Sequence, residues 1–172
     1  MGSRPVTNVV IAGLGGQGVL KASDIVAEAA FRAGLDVKKS EVHGMSQRGG
    51  SVVSDVRFGG KVLSPMVPPG EADYLVLLDA DQLDANRHLL RPGGVLIQPG
   101  LAGSVKLASK RSLNVALVGM LSSRLDIPEQ AWLDAIRASL NEKLHEANLA
   151  AFQAGRALNT SRRNGAQNDG SA

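Results

Sequence analysis

Between Thr7 and Val42 the chain reads as apolar strand, glycine turn, amphipathic helix and second strand, and few folds accept that order. Thr7 to Ala12 (Thr-Asn-Val-Val-Ile-Ala) is a short aliphatic run, as strands buried on both faces require. Gln17 to Ala33 then places Leu20, Ile25, Val26, Ala29, Ala30 and Ala33 near one helical face. Gly34 stands where a helix can stop in the left-handed conformation that glycine adopts cheaply. Asp36 to Val42 follows as a shorter strand. Strand, loop, helix and strand in this order open a doubly wound sheet.

The rest of the chain extends that pattern with one interruption. In Ser51 to Phe58, Val52, Ser54, Val56 and Phe58 share one face, and Val53, Asp55 and Arg57 the other. Gly59-Gly60 separates this strand from Lys61-Val62-Leu63, which predicts a β-hairpin between the two. Pro65, Pro68 and Pro69 mark an irregular connection. Ala72 to Asp79 is a buried strand ending in an acid, followed by a helix to about Leu90, a turn at Arg91-Pro92-Gly93-Gly94 and a strand from Val95 to Gln98. Helices are predicted over Leu113 to Leu125, Glu129 to Leu144 and Glu146 to Ala157. The expected architecture is one α/β domain over residues 1–158: three α/β/α layers around a mostly parallel, Rossmann-like sheet with an inserted β-hairpin. Residues 159–172 are polar and aperiodic and are expected to be a disordered tail.

Composition narrows the functional classes. The chain has 172 residues, enough for one well-buried domain, and no cysteine, which excludes disulfides and any thiolate-held iron–sulfur cluster in this chain. His43, His88 and His145 are far apart in sequence, which argues against a zinc site. The net charge of +3 is concentrated from Arg156 onward, with three arginines against one aspartate, and no basic stripe with interleaved aromatics suggests nucleic-acid binding. No apolar run approaches a membrane span and the N-terminus lacks the apolar stretch of a signal peptide, so the cytoplasm is the expected compartment.

Two loops concentrate the chemistry. Gly13, Gly15 and Gly18 fit G-x-G-x-x-G between a strand and a helix, with Gly16 baring further backbone around Leu14 and Gln17. Such a turn offers free N–H groups to an anion at the helix start, or serves as a tight turn that packs on a partner. As a dinucleotide fingerprint it needs an acid at the end of the second strand, for which Glu41 is the candidate. One βα unit later, Ser40 to Gly50 sets Glu41, His43, Ser46, Gln47 and Arg48 among Gly44, Gly49 and Gly50. Arg48 beside two bare glycines suits a phosphate or carboxylate, and His43 is a candidate acid–base or hydrogen-bond donor. The plain alternatives are a backbone-satisfied histidine and a salt bridge from Arg48 to Glu41 or Asp55. Asp79 and Asp81, at the end of the third buried strand, read as a metal pair or, more simply, as helix caps. Trp132 reads as helix packing or an interface anchor. The two glycine-rich loops are expected to meet at one edge of the sheet.

The loop Gly13-Leu14-Gly15-Gly16-Gln17-Gly18 together with Glu41-Val42-His43-Gly44-Met45-Ser46-Gln47-Arg48-Gly49-Gly50-Ser51-Val52 resembles the γ-type subunit or domain of 2-oxoacid:ferredoxin oxidoreductases. Within that family it is most similar to the β subunits of indolepyruvate:ferredoxin oxidoreductases. Ser64-Pro65, Glu71-Ala72-Asp73, Pro92-Gly93-Gly94 and Ser112-Leu113-Asn114 support the resemblance, which runs from about Asn8 to about Leu158. It implies a subunit, inactive alone, of a thiamine-dependent enzyme that oxidatively decarboxylates arylpyruvates such as indolepyruvate to acyl-CoA. Thiamine diphosphate, Mg and iron–sulfur clusters would reside in a larger α subunit, with ferredoxin as acceptor and coenzyme A as co-substrate. Residues Gly13, Gly15, Gly16, Gln17, Gly18, Ser46, Gln47, Arg48, Gly49 and Gly50 would then touch coenzyme A or the larger subunit. The resemblance names no catalytic residue here beyond His43 as a candidate. The readings left beside it are a self-sufficient NAD(P)- or flavin-binding oxidoreductase and a purely structural partner subunit.

Overall fold

The computed structural model describes residues 4–44 and 49–168, the last ten of these by backbone alone. Five strands form one sheet in the order β2-β3-β1-β4-β5: β1 (Thr7–Leu14), β2 (Asp36–His43), β3 (Ser51–Gly59), β4 (Ala72–Leu77) and β5 (Leu90–Ile97). Pairs β1–β4 and β4–β5 are parallel, while β3 runs antiparallel to both β1 and β2. All strands but β3 therefore point the same way. Central β1 is buried from Asn8 to Gly13, and its side chains alternate between two cores. Val9 and Ile11 face one, Val10 and Ala12 the other.

The larger core is covered by four helices: α1 (Val19–Arg32), α3 (Leu113–Ser122), α4 (Glu129–Ser139) and α5 (His145–Asn168). α3 is apolar all round and buried from Asn114 to Ser122, because α1, α5 and the sheet all pack on it. The opposite face has a thinner cover, made by Val67 of the β3–β4 connection together with Leu83 and Leu89. There the helix predicted to reach Leu90 is broken: a 3-10 turn at Ala80–Gln82, a single α turn, α2 (Leu83–Asn86), and a second 3-10 turn at Arg87–Leu89. α5 continues past Leu158 to Asn168, into the span expected to be a disordered polar tail. Among the described residues no helix is long and apolar enough to cross a membrane.

The hairpin is present, but its strands are not the predicted pair. β3 pairs along its whole length with β2, from Asp36 opposite Gly59 to His43 opposite Val52, and residues 61–63 form no strand. Backbone donors of this segment go to carboxylates instead. Val62 N donates to Asp36 Oδ2 at 2.7 Å and Val67 N to Asp55 Oδ2 at 2.9 Å, while Arg57 Nη1 donates to the carbonyl of Ser64 at 2.9 Å. Side chains of β2 and β3 thus hold the connection across the sheet where a third ladder would otherwise have formed.

Candidate functional site

β1 delivers the glycine turn to the C-terminal edge of the sheet, where each glycine meets a different demand. A Cβ at Gly13 would stand 2.9 Å from Gln17 Oε1 and 3.1 Å from Leu78 Cβ, so Gly13 lets the turn close on the end of β4. Gly16 and Gly18 hold φ of 88° and 86°, which L side chains rarely adopt. A Cβ at Gly18 would also overlap the Asn114 side chain, whose Nδ2 donates to the Gly18 carbonyl at 3.2 Å. Gly15 is the point of contact with the second loop: its N–H donates to the Gly50 carbonyl at 2.8 Å.

The two glycine-rich loops therefore meet, as expected, at one sheet edge. The β2–β3 connection is closed at its base by Gly44 N donating to Ser51 O at 2.6 Å. Gly49 holds φ of 66° beside Gly15. Ser46, Gln47 and Arg48 lie outside the described residues. Ser51 Oγ, 2.6 Å from Gln82 Oε1, links the base of the hairpin to the loop after β4. Gln17 spans the remaining gap: its Oε1 accepts from Leu14 N at 2.7 Å and its Nε2 donates to Asp79 Oδ2 at 2.8 Å. The loops after β1, β2 and β4 become one hydrogen-bonded surface.

The acids and histidines divide differently. Asp79 caps the 3-10 turn, its Oδ1 accepting from Asp81 N at 3.0 Å, and Asp81 is exposed. Among the described residues no group of three acids, histidines or cysteines could hold a metal. Glu41 pairs with Lys39 at 2.7 Å and stands 3.9 Å from His43 Nε2, while Lys39 also binds Asp24. Burial pulls the pKa of Lys39 down, but hydrogen bonds and charges from Asp24 and Glu41 outweigh it and leave the group above the ordinary lysine value. Because β3 separates β2 from β1, Glu41 stands two strand spacings, roughly 10 Å, from the strand that carries the glycine turn. That is not the neighbouring-strand position from which an acid grips a ribose beside such a turn. His43 is about half exposed and has no described partner other than Glu41. His145 is structural, with Nε2 2.8 Å from the Leu140 carbonyl. Trp132 is fully buried, its ring 6.0 Å from that of Phe152, which settles it as helix packing.

Sequence inspection did not single out Ser51, Gln82 or Asn114 as site residues. Ser51 and Asn114 had a signal, since both stand in segments that carry the resemblance, and the distance of Asn114 in sequence from Gly18 concealed its role.

The profile of the pyruvate ferredoxin/flavodoxin oxidoreductase family matches residues 8–102 and 100–158. The chain belongs to that family. The indolepyruvate oxidoreductase subunit IorB of Thermococcus kodakarensis is 35% identical over 190 residues, which cover 86% of this chain and 93% of that one. Among solved structures, the keto/oxoacid ferredoxin oxidoreductase γ subunit of Geobacter sulfurreducens superposes with a TM-score of 0.74 at 21% identity, covering 91% of this chain and 98% of the other. The 2-oxoglutarate:ferredoxin oxidoreductase of Magnetococcus marinus, solved with 2-oxoglutarate, coenzyme A and succinyl-CoA bound, superposes with a TM-score of 0.77 at 22% identity. That match covers 91% of this chain and 31% of the other, so the whole fold corresponds to one part of a longer polypeptide. At these identities the likeness to the two structures is one of fold. Membership of the oxidoreductase family, together with the IorB relative, matches the resemblance carried by the two glycine-rich loops.

Proposed function

We propose that this chain is a subunit, inactive alone, of a thiamine-dependent 2-oxoacid:ferredoxin oxidoreductase acting on indolepyruvate or related arylpyruvates. The observation that carries the proposal is the junction of the glycine turn with the β2–β3 loop through Gly15 and Gly50, in a chain whose relative over nearly its full length is an indolepyruvate oxidoreductase subunit. The junction exposes the glycine backbone of Gly15, Gly16 and Gly49, which suits a phosphorylated co-substrate or a partner subunit, and Arg48 precedes Gly49 in the sequence. Coenzyme A is the co-substrate proposed, through Gly13, Gly15, Gly16, Gln17, Gly18, Ser46, Gln47, Arg48, Gly49 and Gly50.

Thiolate-held iron–sulfur clusters do not fit this chain, and thiamine diphosphate with its Mg ion is assigned with them to a partner. This chain has no cysteine, and its described residues offer no metal-binding group of acids and histidines. A larger α subunit is the proposed carrier, with ferredoxin as acceptor and the cytoplasm as the compartment. A self-sufficient NAD(P) enzyme is disfavoured by the place of Glu41, on the far side of β3 from the glycine turn.

Affinity purification from the native source, followed by calorimetry, tests the reading. The expected catch is a large, cysteine-rich, thiamine-binding partner, and the reconstituted complex should bind coenzyme A more weakly once Arg48→Ala is introduced. Recovery of the chain alone, or turnover of indolepyruvate by the purified chain without a partner, would overturn it. Unchanged coenzyme A affinity would remove Arg48 from the ligand set.

A further inference from the structure

β2 is an outer strand of the sheet, and among the described residues no strand pairs with its far side. The other outer strand, β5, is interrupted: it contains Pro92, and its register with β4 shifts between Ala72 and Tyr74. Both features blunt a sheet edge. β2 has neither. It contains no proline and holds one unbroken register with β3 over its 8 residues.

The direction of its free backbone groups follows from one bond. Gly44 continues that register opposite Ser51 and donates to its carbonyl at 2.6 Å. Bonded and unbonded pairs alternate along an antiparallel ladder, so Val42, Ser40 and Lys38 also turn their backbone groups to β3. Val37, Lys39, Glu41 and His43 turn theirs outward, with side chains on the α1 face, where Lys39 binds Ser23 and Asp24. Beside this edge α1 and β2 border an open groove of about 520 Å³, in which Ala27, Phe31 and Val37 give apolar surface. Phe31 is 68% exposed, and Val42, on the opposite face of the sheet, 58%.

An extended strand is the shape that satisfies such an edge, and the charges say which strand. If two copies of β2 meet antiparallel about a two-fold axis, each outward residue must oppose another outward residue. Centring the pair on Lys39 sets that lysine against itself, and centring it on Glu41 sets two carboxylates together. Centring it on Ser40 opposes Lys39 to Glu41 of the other copy and Val37 to its His43, so every outward residue gains a partner. On the opposite face the same register lays the Lys38 stem over exposed Val42. The register that completes the ladder is thus the one that pairs opposite charges.

We propose that two copies of this chain associate through β2, in a continuous antiparallel sheet centred on Ser40, with Lys39 of each copy against Glu41 of the other. The inference goes beyond the family reading and uses none of the residues assigned there to coenzyme A.

Sedimentation velocity and amide hydrogen exchange on the full chain test it. Wild type should approach a dimer as its concentration rises to about 100 μM. Amides of Val37, Lys39, Glu41 and His43 should gain protection with concentration, while those of Lys38, Ser40 and Val42, already bonded to β3, should not. Glu41→Lys should weaken association about tenfold or more, whereas Asp84→Lys, the same charge change on the exposed surface of α2, should leave it unchanged. Lys39→Glu should associate as poorly alone, yet mixed with Glu41→Lys it should form a heterodimer, because each lysine then faces a glutamate again. Circular dichroism confirms folding, and if Lys39→Glu does not fold beside Asp24, the exchange pattern and Glu41→Lys decide. A wild type that stays monomeric at about 100 μM overturns the proposal and leaves the edge to a strand of another protein. A dimer whose newly protected amides lie elsewhere, or one that Glu41→Lys does not weaken, overturns it as well.

Discussion

Gln17 Nε2 donates to Asp79 Oδ2 at 2.8 Å, tying the loop after β1 to the end of β4, while the same side chain accepts from Leu14 N at 2.7 Å. Asp79 meanwhile caps the following turn through Oδ1. One neutral side chain and one carboxylate thus fix two loops at the edge where the hairpin also docks.

Gln17→Ala removes both bonds and leaves the Leu14 N–H and an Asp79 oxygen without these partners. A hydrogen bond to a charged group contributes about 1.5–3 kcal/mol, and partial access of water lowers the expected loss to about 1–2 kcal/mol. Urea unfolding should show the midpoint falling with an unchanged slope. A variant as stable as wild type would mean that the bridge is incidental.

Gly16 and Gly18 separate conformational strain from steric overlap. Both have positive φ, but a Cβ at Gly16 meets open space, whereas at Gly18 it meets Asn114. Gly16→Ala should cost about 1–2 kcal/mol, the left-handed penalty alone. Gly18→Ala should cost clearly more, and pairing it with Asn114→Ala should recover part of the difference. Equal losses in chemical denaturation would show that the Asn114 contact is not tight.

Asp55 gives the fold a pH signature. Burial raises its pKa above the ordinary 3.8, against the opposing pull of the Val67 N–H and the Arg57 charge. A folded pKa above the unfolded one means that the folded state holds the proton more tightly, so this contribution is full below 3.8 and is lost as pH rises through the folded value. Asp55→Asn cannot ionise and keeps an oxygen for Val67 N. Its stability relative to wild type should therefore increase from strongly acidic to neutral pH, read as the difference in unfolding free energy at the two ends. A difference that is flat or runs the other way would contradict the burial of this carboxylate.

Much of the site's placement was legible in the sequence, because it rested on local chemistry. A glycine turn between strand and helix can occupy only the strand's C-terminal end, and Asp79 before a polar turn is a capping position. The hairpin partner was not legible. Lys61-Val62-Leu63 after two glycines has the local pattern of a return strand, and only Asp36 and Asp55, distant in sequence, claim the backbone donors at Val62 and Val67. The part played by Asn114 was invisible for the same reason: Gly18 and Asn114 are 96 positions apart, and their contact forms only once α3 is buried.

The crossing of α3 and α5 leaves no room for a side chain at its closest points. A Cβ at Gly155 would overlap the Ala116 carbonyl, and one at Gly119 would overlap that of Phe152, so the two helices approach backbone to backbone. In an isolated helix Gly→Ala is favourable by about 1 kcal/mol. At Gly155 the sign should reverse, because the added methyl must push α5 away from a helix buried on every side. Gly155→Ala is expected to destabilise by more than that gain, by about 2 kcal/mol or more, as overpacked cores do. A more stable Gly155→Ala protein, read by thermal unfolding, would mean that the two helices cross with room to spare.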